Sequence, residues 1–294
     1  MKIVTIASDL DQPFLQRLLI PSCGILGLDL VILHSTKDGF RHSDKRSIIT
    51  GYLAQHVEAD ELIVFTDAYD TLFIRGQQHI EEVYETFAQP VVFSAEVGSW
   101  PLGSLGFAIL DAPPTPPYPF LNSGGYIGPA GVLLDLLDRY PQPPSDRFEL
   151  LRKLRKFGYD TNERYAFSDQ YYWTLVQLLE GETVALDHSG QLFENLGPPI
   201  PDVWDLQILL GHYEFYTQDR KAASYGQERA RLEEVLKTPS QAAHIHFSNP
   251  MGKAAALDLL DEGKLPDWLR EVTGSTTPAA RAATVVAVDQ LVGK

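Results

Sequence analysis

The chain has 294 residues, 44% hydrophobic and 21% charged, the proportions of a folded protein with room for one large or two ordinary domains. A net charge of -15 argues against nucleic acid and anionic membrane as partners, since either needs a basic face. The single cysteine, Cys23, excludes an intramolecular disulfide and a cysteine-rich zinc site, and suits a reducing cytoplasm.

The stretch Met1–Ser8 predicts a strand and a polar turn, without the longer apolar run of a secretory signal. No window approaches the ~18 apolar residues of a membrane span. Ser8-Asp9 and Pro13 open a helix through Leu19, and Leu28–His34 predicts a second strand. A polar loop with several basic residues, Lys37–Arg46, leads into an amphipathic segment over Ser47–Val57. Leu62-Ile-Val-Phe65 then predicts a strand buried on both faces. The resulting β-α-β-loop-α-β order is a doubly wound pattern with parallel strands.

That third strand ends in Asp67 and Asp70, with Tyr69 between them. Two carboxylates past the carboxyl end of a buried strand oppose each other's ionisation unless a cation lies between them. In an open α/β sheet that end is also where ligands bind. A hard divalent ion bridging to a phosphorylated substrate answers both points. The competing reading is a polar turn whose aspartates cap a helix.

Beyond the motif, His79–Phe87 reads as a helix and Val91–Glu96 as a strand. Asp111–Pro119, five of whose nine residues are proline, is a stiff loop or a linker. In Phe120–Gly128, Gly124 and Gly125 predict a bulge or a backbone closely approached by another group, the alternative being an ordinary turn. Helices are expected over Gly131–Arg139 and Asp146–Phe157, and another starts near Phe167 with Ser168 as N-cap and Asp169 in its first turn. Val184–Asp187 is a short strand, and Asp187 with His188 suggests a hydrogen-bonded structural pair. Tyr213–Lys237 is charged and aromatic, helical in its second half. His244–Phe247 alternates like a strand, so His244 and His246 share one face, and the turn after it ends in Lys253. A helix follows over Lys253–Leu260. Thr277-Pro278 cap a last helix over Ala279–Leu291, whose valines could dock on the body or on a second subunit to form a homodimer. The division expected is a domain over 1–262 and a helical tail over 263–294.

Four stretches in this order resemble the glycosyltransferase domain of the procollagen lysyl hydroxylases. They are Phe65–Asp70, Val92–Glu96 with Trp100-Pro101, Phe120–Gly125, and Leu186–His188 with Phe193–Leu196. The resemblance runs from residue 3 to about residue 260. It implies a GT-A fold, that is, a Rossmann-like, mostly parallel central sheet flanked by helices, with a Mn²⁺ ion and a UDP-sugar donor. Carried over residue by residue, Asp67, Asp70 and His246 would bind the metal, a set that suits Mn²⁺ better than Mg²⁺ because of the imidazole. The alternative reading of His246, without the resemblance, is a partly buried strand histidine. Tyr69 would stack on uracil, Lys45 and Lys253 would lie at the nucleotide, and Thr5 to Ala7 would line the uridine pocket. Asn122 and Asp169 fall at acceptor- and sugar-contacting positions.

The function expected is transfer of a hexose, galactose or glucose, from a UDP-sugar to a hydroxyl acceptor on a sugar, hydroxylated peptide or small molecule. The aspartate-rich run of that family is reduced here to Ser168-Asp169-Gln170, which bears on acceptor and sugar more than on metal or nucleotide. Two other readings keep the site: a metal-dependent nucleotide-sugar hydrolase, and a non-catalytic nucleotide-sugar-binding protein.

Overall fold

A computed structural model describes residues 1–37, 39–110, 117–197, 220–221, 223–274 and 283–288. Much of the proline-rich stretch and the first part of Tyr213–Lys237 lie outside the described residues. Strands β1 (Lys2–Ala7), β2 (Leu30–His34) and β3 (Leu62–Asp67) run parallel, with β1 between the other two. The first connection holds a π-helical turn (Leu15–Leu19) and α1 (Ile20–Ile25), and the second holds α2 (Asp44–His56). Both faces of these strands are covered, which explains their unbroken apolar sequences. Val4, Ile6, Ile63 and Phe65 pack toward Ile48, Leu53, Leu133 and Trp173. Ile3, Ala7 and Val64 pack on the opposite face with Leu15, Leu19, Cys23 and Ile80.

After β4 (Thr71–Phe73) and α3 (Gln77–Tyr84) come β5 (Val91–Glu96), α4 (Ser104–Ala108) and β6 (Phe120–Pro129). Strand β6 is antiparallel to both β3 and β5, the one reversal in an otherwise parallel sheet among the described residues. An apolar pattern marks a buried strand but carries no sign of its direction, so the reversal was not readable. Across it, Phe65, Tyr126, Phe93 and Trp173 form an aromatic stack with successive centroids 4.8, 4.7 and 5.0 Å apart. Helices α5 (Ala130–Arg139), α6 (Glu149–Lys156), α7 (Thr161–Tyr165) and α8 (Asp169–Leu179) follow, and β7 (Val184–Leu186) closes one edge of the sheet. The mostly parallel, helix-flanked sheet expected of a GT-A fold is present.

A second sheet of three strands has the order β4, β9 (His244–His246), β8 (Phe193–Asn195). Helices Ala223–Val235, Pro250–Asp261 and Asp267–Thr273 build a separate apolar cluster around it. Asn249 caps the middle one by accepting the Gly252 N–H at 2.7 Å.

The tail corrects one expectation. Instead of a helix over Ala279–Leu291, Thr284–Ala287 forms β10, parallel to β2 at the other edge of the main sheet. Val288 enters the core. The consecutive β-branched residues Thr284, Val285 and Val286 favour extended backbone, and β2 offers a free edge to pair with, which outweighs the capping signal of Thr277-Pro278. No helix among the described residues is long and apolar enough to cross a membrane.

Candidate active site

Strand register brings distant carboxylates and an imidazole together. Strand β3 delivers Asp67 at its carboxyl end, and Asp70 immediately precedes β4. Thr71 of β4 pairs with His246 of β9, and the Phe247 N–H donates to the Asp70 carbonyl at 2.8 Å. One ligand atom from each of Asp67, Asp70 and His246 lies within 4.8 Å of the others. The set fits a divalent cation, because Asp70 Oδ1 is buried without a hydrogen-bond partner among the described residues. It stands 3.5 Å from His246 Nε2, beyond good hydrogen-bonding range.

The electrostatics describe a cluster short of positive charge. Burial pulls the His246 imidazole down, but the carboxylates of Asp70, Asp67 and Glu96 outweigh it and hold the group above its usual value. Burial raises Asp70, yet His246, Lys253 and Lys45 keep its carboxyl down at about 2. Burial, with Asp67 adding to it, leaves Asp169 above the ordinary carboxylate range despite Lys45. Lys45 opposes the acids: its Nζ is 2.5 Å from Asp67 and 3.8 Å from Asp169, above the Phe65 ring. Although burial lowers it, Asp169 and Asp67 keep the ammonium firmly protonated.

These groups line a cleft of about 310 Å³, the size of a small ligand site. Lys45, Asp67, Asp70, Asn122, Asp169, His246 and Lys253 all face it. Thr5, Ala7 and Tyr69 are not among its walls. Thr5 and Ala7 are fully buried, and the Thr5 hydroxyl donates to the Thr66 carbonyl at 2.7 Å. Tyr69 instead ties down the loop after β1, its phenol oxygen accepting the N–H groups of Ser8 at 2.7 Å and Asp9 at 2.6 Å. His244, the neighbour of His246, is held neutral. Burial first and the charge of His246 second push it down to about 3, and its Nε2 lies 2.8 Å from the Thr66 hydroxyl.

Asp187 and His188 are both structural but not paired with each other. The Asp187 carboxylate accepts the N–H groups of Gln191, Leu192 and Phe193, and His188 Nδ1 donates to the Tyr118 carbonyl at 2.7 Å. Sequence reasoning missed Glu96 and Gln170 as cleft residues. Gln170 Nε2 donates to Glu96 at 2.6 Å and to the Trp100 carbonyl at 3.0 Å. Burial pushes Glu96 up to about 7 even though Gln170 and Asn122 hydrogen-bond to it. The available signal was a carboxylate ending an apolar strand, the same signature that marked Asp67.

The paired glycines mark a close approach rather than a turn. A Cβ on Gly124 would lie 2.3 Å from His246 Cε1, and one on Gly125 would lie 2.7 Å from Phe193 Cδ1. Gly124→Ala must therefore displace the imidazole, at a cost of about 1–3 kcal/mol in stability. Urea denaturation should show that loss, and any rise in melting temperature that a divalent cation gives the parent should be lost. A variant matching the parent in both measurements would contradict the placement of His246.

Residues 35–147 match the family described as the PLOD GT domain. Procollagen-lysine,2-oxoglutarate 5-dioxygenase 1 of Mus musculus is 29% identical over 167 residues, covering 54% of this chain and 19% of that protein. The Homo sapiens protein of the same name is 27% identical over 199 residues, covering 64% and 23%. The chain thus spans about a fifth of the length of these relatives. Among solved structures, mouse xyloside xylosyltransferase 1 in its apo form aligns with a TM-score of 0.48 at 12% identity, covering 84% of this chain and 97% of that one.

Proposed function

We propose that this chain, whose residues 35–147 match the PLOD GT domain, transfers a hexose from a UDP-sugar to a hydroxyl acceptor with Mn²⁺ as its metal. The observation that carries the reading is the convergence of Asp67, Asp70 and His246 at one end of the parallel strands, inside a cleft that also presents Lys45 and Lys253. Asp67, Asp70 and His246 would hold the ion. When bound, it supplies positive charge to the diphosphate as that group leaves. A site with an imidazole ligand suits Mn²⁺ over Mg²⁺.

The chain's own groups do the rest. Lys253, in the first turn of helix Pro250–Asp261, faces the cleft beside Asp70 and offers a donor to a phosphate oxygen. Tyr69, outside the cleft wall and held by the Ser8 and Asp9 amides, would stack its ring on uracil. In the transfer step the bond from the anomeric carbon to the β-phosphate oxygen breaks, its electron pair leaving with UDP. The acceptor oxygen forms the new bond to that carbon. With inversion, the hydroxyl proton passes to Asp169, whose raised carboxyl suits a general base. With retention, a leaving phosphate oxygen takes the proton, and Asp169 holds the sugar.

Thermal denaturation with UDP, GDP or ADP, each with Mn²⁺, Mg²⁺ or chelator, tests the donor, since a ligand bound by the folded state alone raises its stability. UDP with Mn²⁺ should give the largest shift, and UDP-hexose with an acceptor panel should give a new glycoside. Free sugar released equally with and without acceptors would replace transfer by hydrolysis. Tight UDP binding with no product would leave a binding protein.

A further inference from the structure

We propose that Asn122 is a positioning residue that fixes which nitrogen of His246 carries the proton, through a hydrogen-bond relay that starts at Gln170 and Glu96. The inference rests on the reading of His246 as a metal ligand, and it assigns Asn122 a place behind that ligand instead of on the substrate.

The relay has a definite polarity. Gln170 is pinned from both ends: its Nε2 donates to the Trp100 carbonyl at 3.0 Å and to Glu96 at 2.6 Å, while its Oε1 accepts the Ser123 N–H at 3.3 Å. The Glu96 carboxylate takes a second hydrogen bond from the Asn122 side chain. The backbone N–H of Gly124 can only donate, so the Asn122 terminal atom that meets it is the amide oxygen, and the NH₂ is left on the side of Glu96. There Oδ1 accepts the Gly124 N–H at 2.8 Å and stands 3.1 Å from His246 Nδ1.

An amide oxygen cannot donate, so Nδ1 of the neutral imidazole bears the proton and Nε2 is left with its lone pair. In that neutral form the lone pair faces Asp70 Oδ1 across 3.5 Å, so that two acceptors meet with no proton between them. A cation completes this arrangement. The missing Cβ of Gly124 is what lets the ring lie close enough for Asn122 to reach it. A ligating histidine steadied through its other nitrogen binds metal more tightly than one left to rotate.

Nitrogen-15 NMR of the metal-free protein in alkaline buffer, where the imidazole is neutral, reads the proton directly. The His246 signals are identified by their loss in His246→Gln. The expected pattern is a protonated Nδ1 and an unprotonated Nε2, and a proton found on Nε2 would overturn the proposal. This measurement on the unaltered protein stands whether or not any Asn122 variant folds. In parallel, Mn²⁺ titration followed by EPR should show Asn122→Ala binding ~10- to 100-fold more weakly than the parent. Equal affinities would also overturn the proposal. If the parent itself binds no Mn²⁺, the metal reading falls, and the NMR result alone decides the role of Asn122.

Discussion

Asp70→Asn is expected to lower Mn²⁺-dependent transfer by roughly 10³-fold, the scale of losing one preorganised charge-stabilising group at a reacting centre. Asn keeps the shape of the side chain but withdraws the charge, and Asp70 Oδ1 is a buried atom with no hydrogen-bond partner among the described residues. The melting-temperature increase given by Mn²⁺ should vanish with the activity. A linked effect appears in chelator. His246, Lys253 and Lys45 hold the folded carboxyl at about 2 against the effect of burial, below its ordinary range. A carboxyl depressed in the folded state stabilises the fold above its unfolded pKa and loses that contribution as pH falls through the folded value. The parent should therefore be more stable than Asp70→Asn at neutral pH, with the gap closing in acid toward pH 2. Near-parental turnover, or an undiminished Mn²⁺ shift, would remove Asp70 from the metal site.

Why the carboxylates were readable and their surroundings were not follows from how local each signal is. Leu62-Ile-Val-Phe65 announces a buried strand within a few residues, and Asp67 and Asp70 stand out because charge there is costly. Gly124 and Gly125 likewise signalled a close neighbour, which is His246 for the first and Phe193 for the second. The neighbour's identity depends on register between strands far apart in the chain, Thr71 with His246 and Phe193 with His244. Nothing within either stretch encodes that pairing. The Gln170–Glu96–Asn122 relay joins α8, β5 and β6, and none of its members is unusual in its own element. Strand β10 failed for a different reason: a short valine run suits helix or strand, and an available sheet edge decided it.

Lys45→Met is expected to destabilise the metal-free protein by about 3–5 kcal/mol, the usual result of removing one partner from a buried ion pair. Lys45 is buried, and its ammonium is 2.5 Å from Asp67 and 3.8 Å from Asp169. Methionine keeps the apolar stem above Phe65 but leaves both carboxylates without their shared cation. Asp169, already raised by burial and by Asp67, should rise further once Lys45 no longer lowers it. A divalent ion on Asp67 would return positive charge to the same cluster, so Mn²⁺ should stabilise Lys45→Met more than it stabilises the parent. Urea unfolding of both proteins in chelator and in saturating Mn²⁺ reads the four stabilities needed. A loss of the same size in both buffers would mean that Lys45 and the ion act on separate charges, and Asp67 would no longer be the group they share.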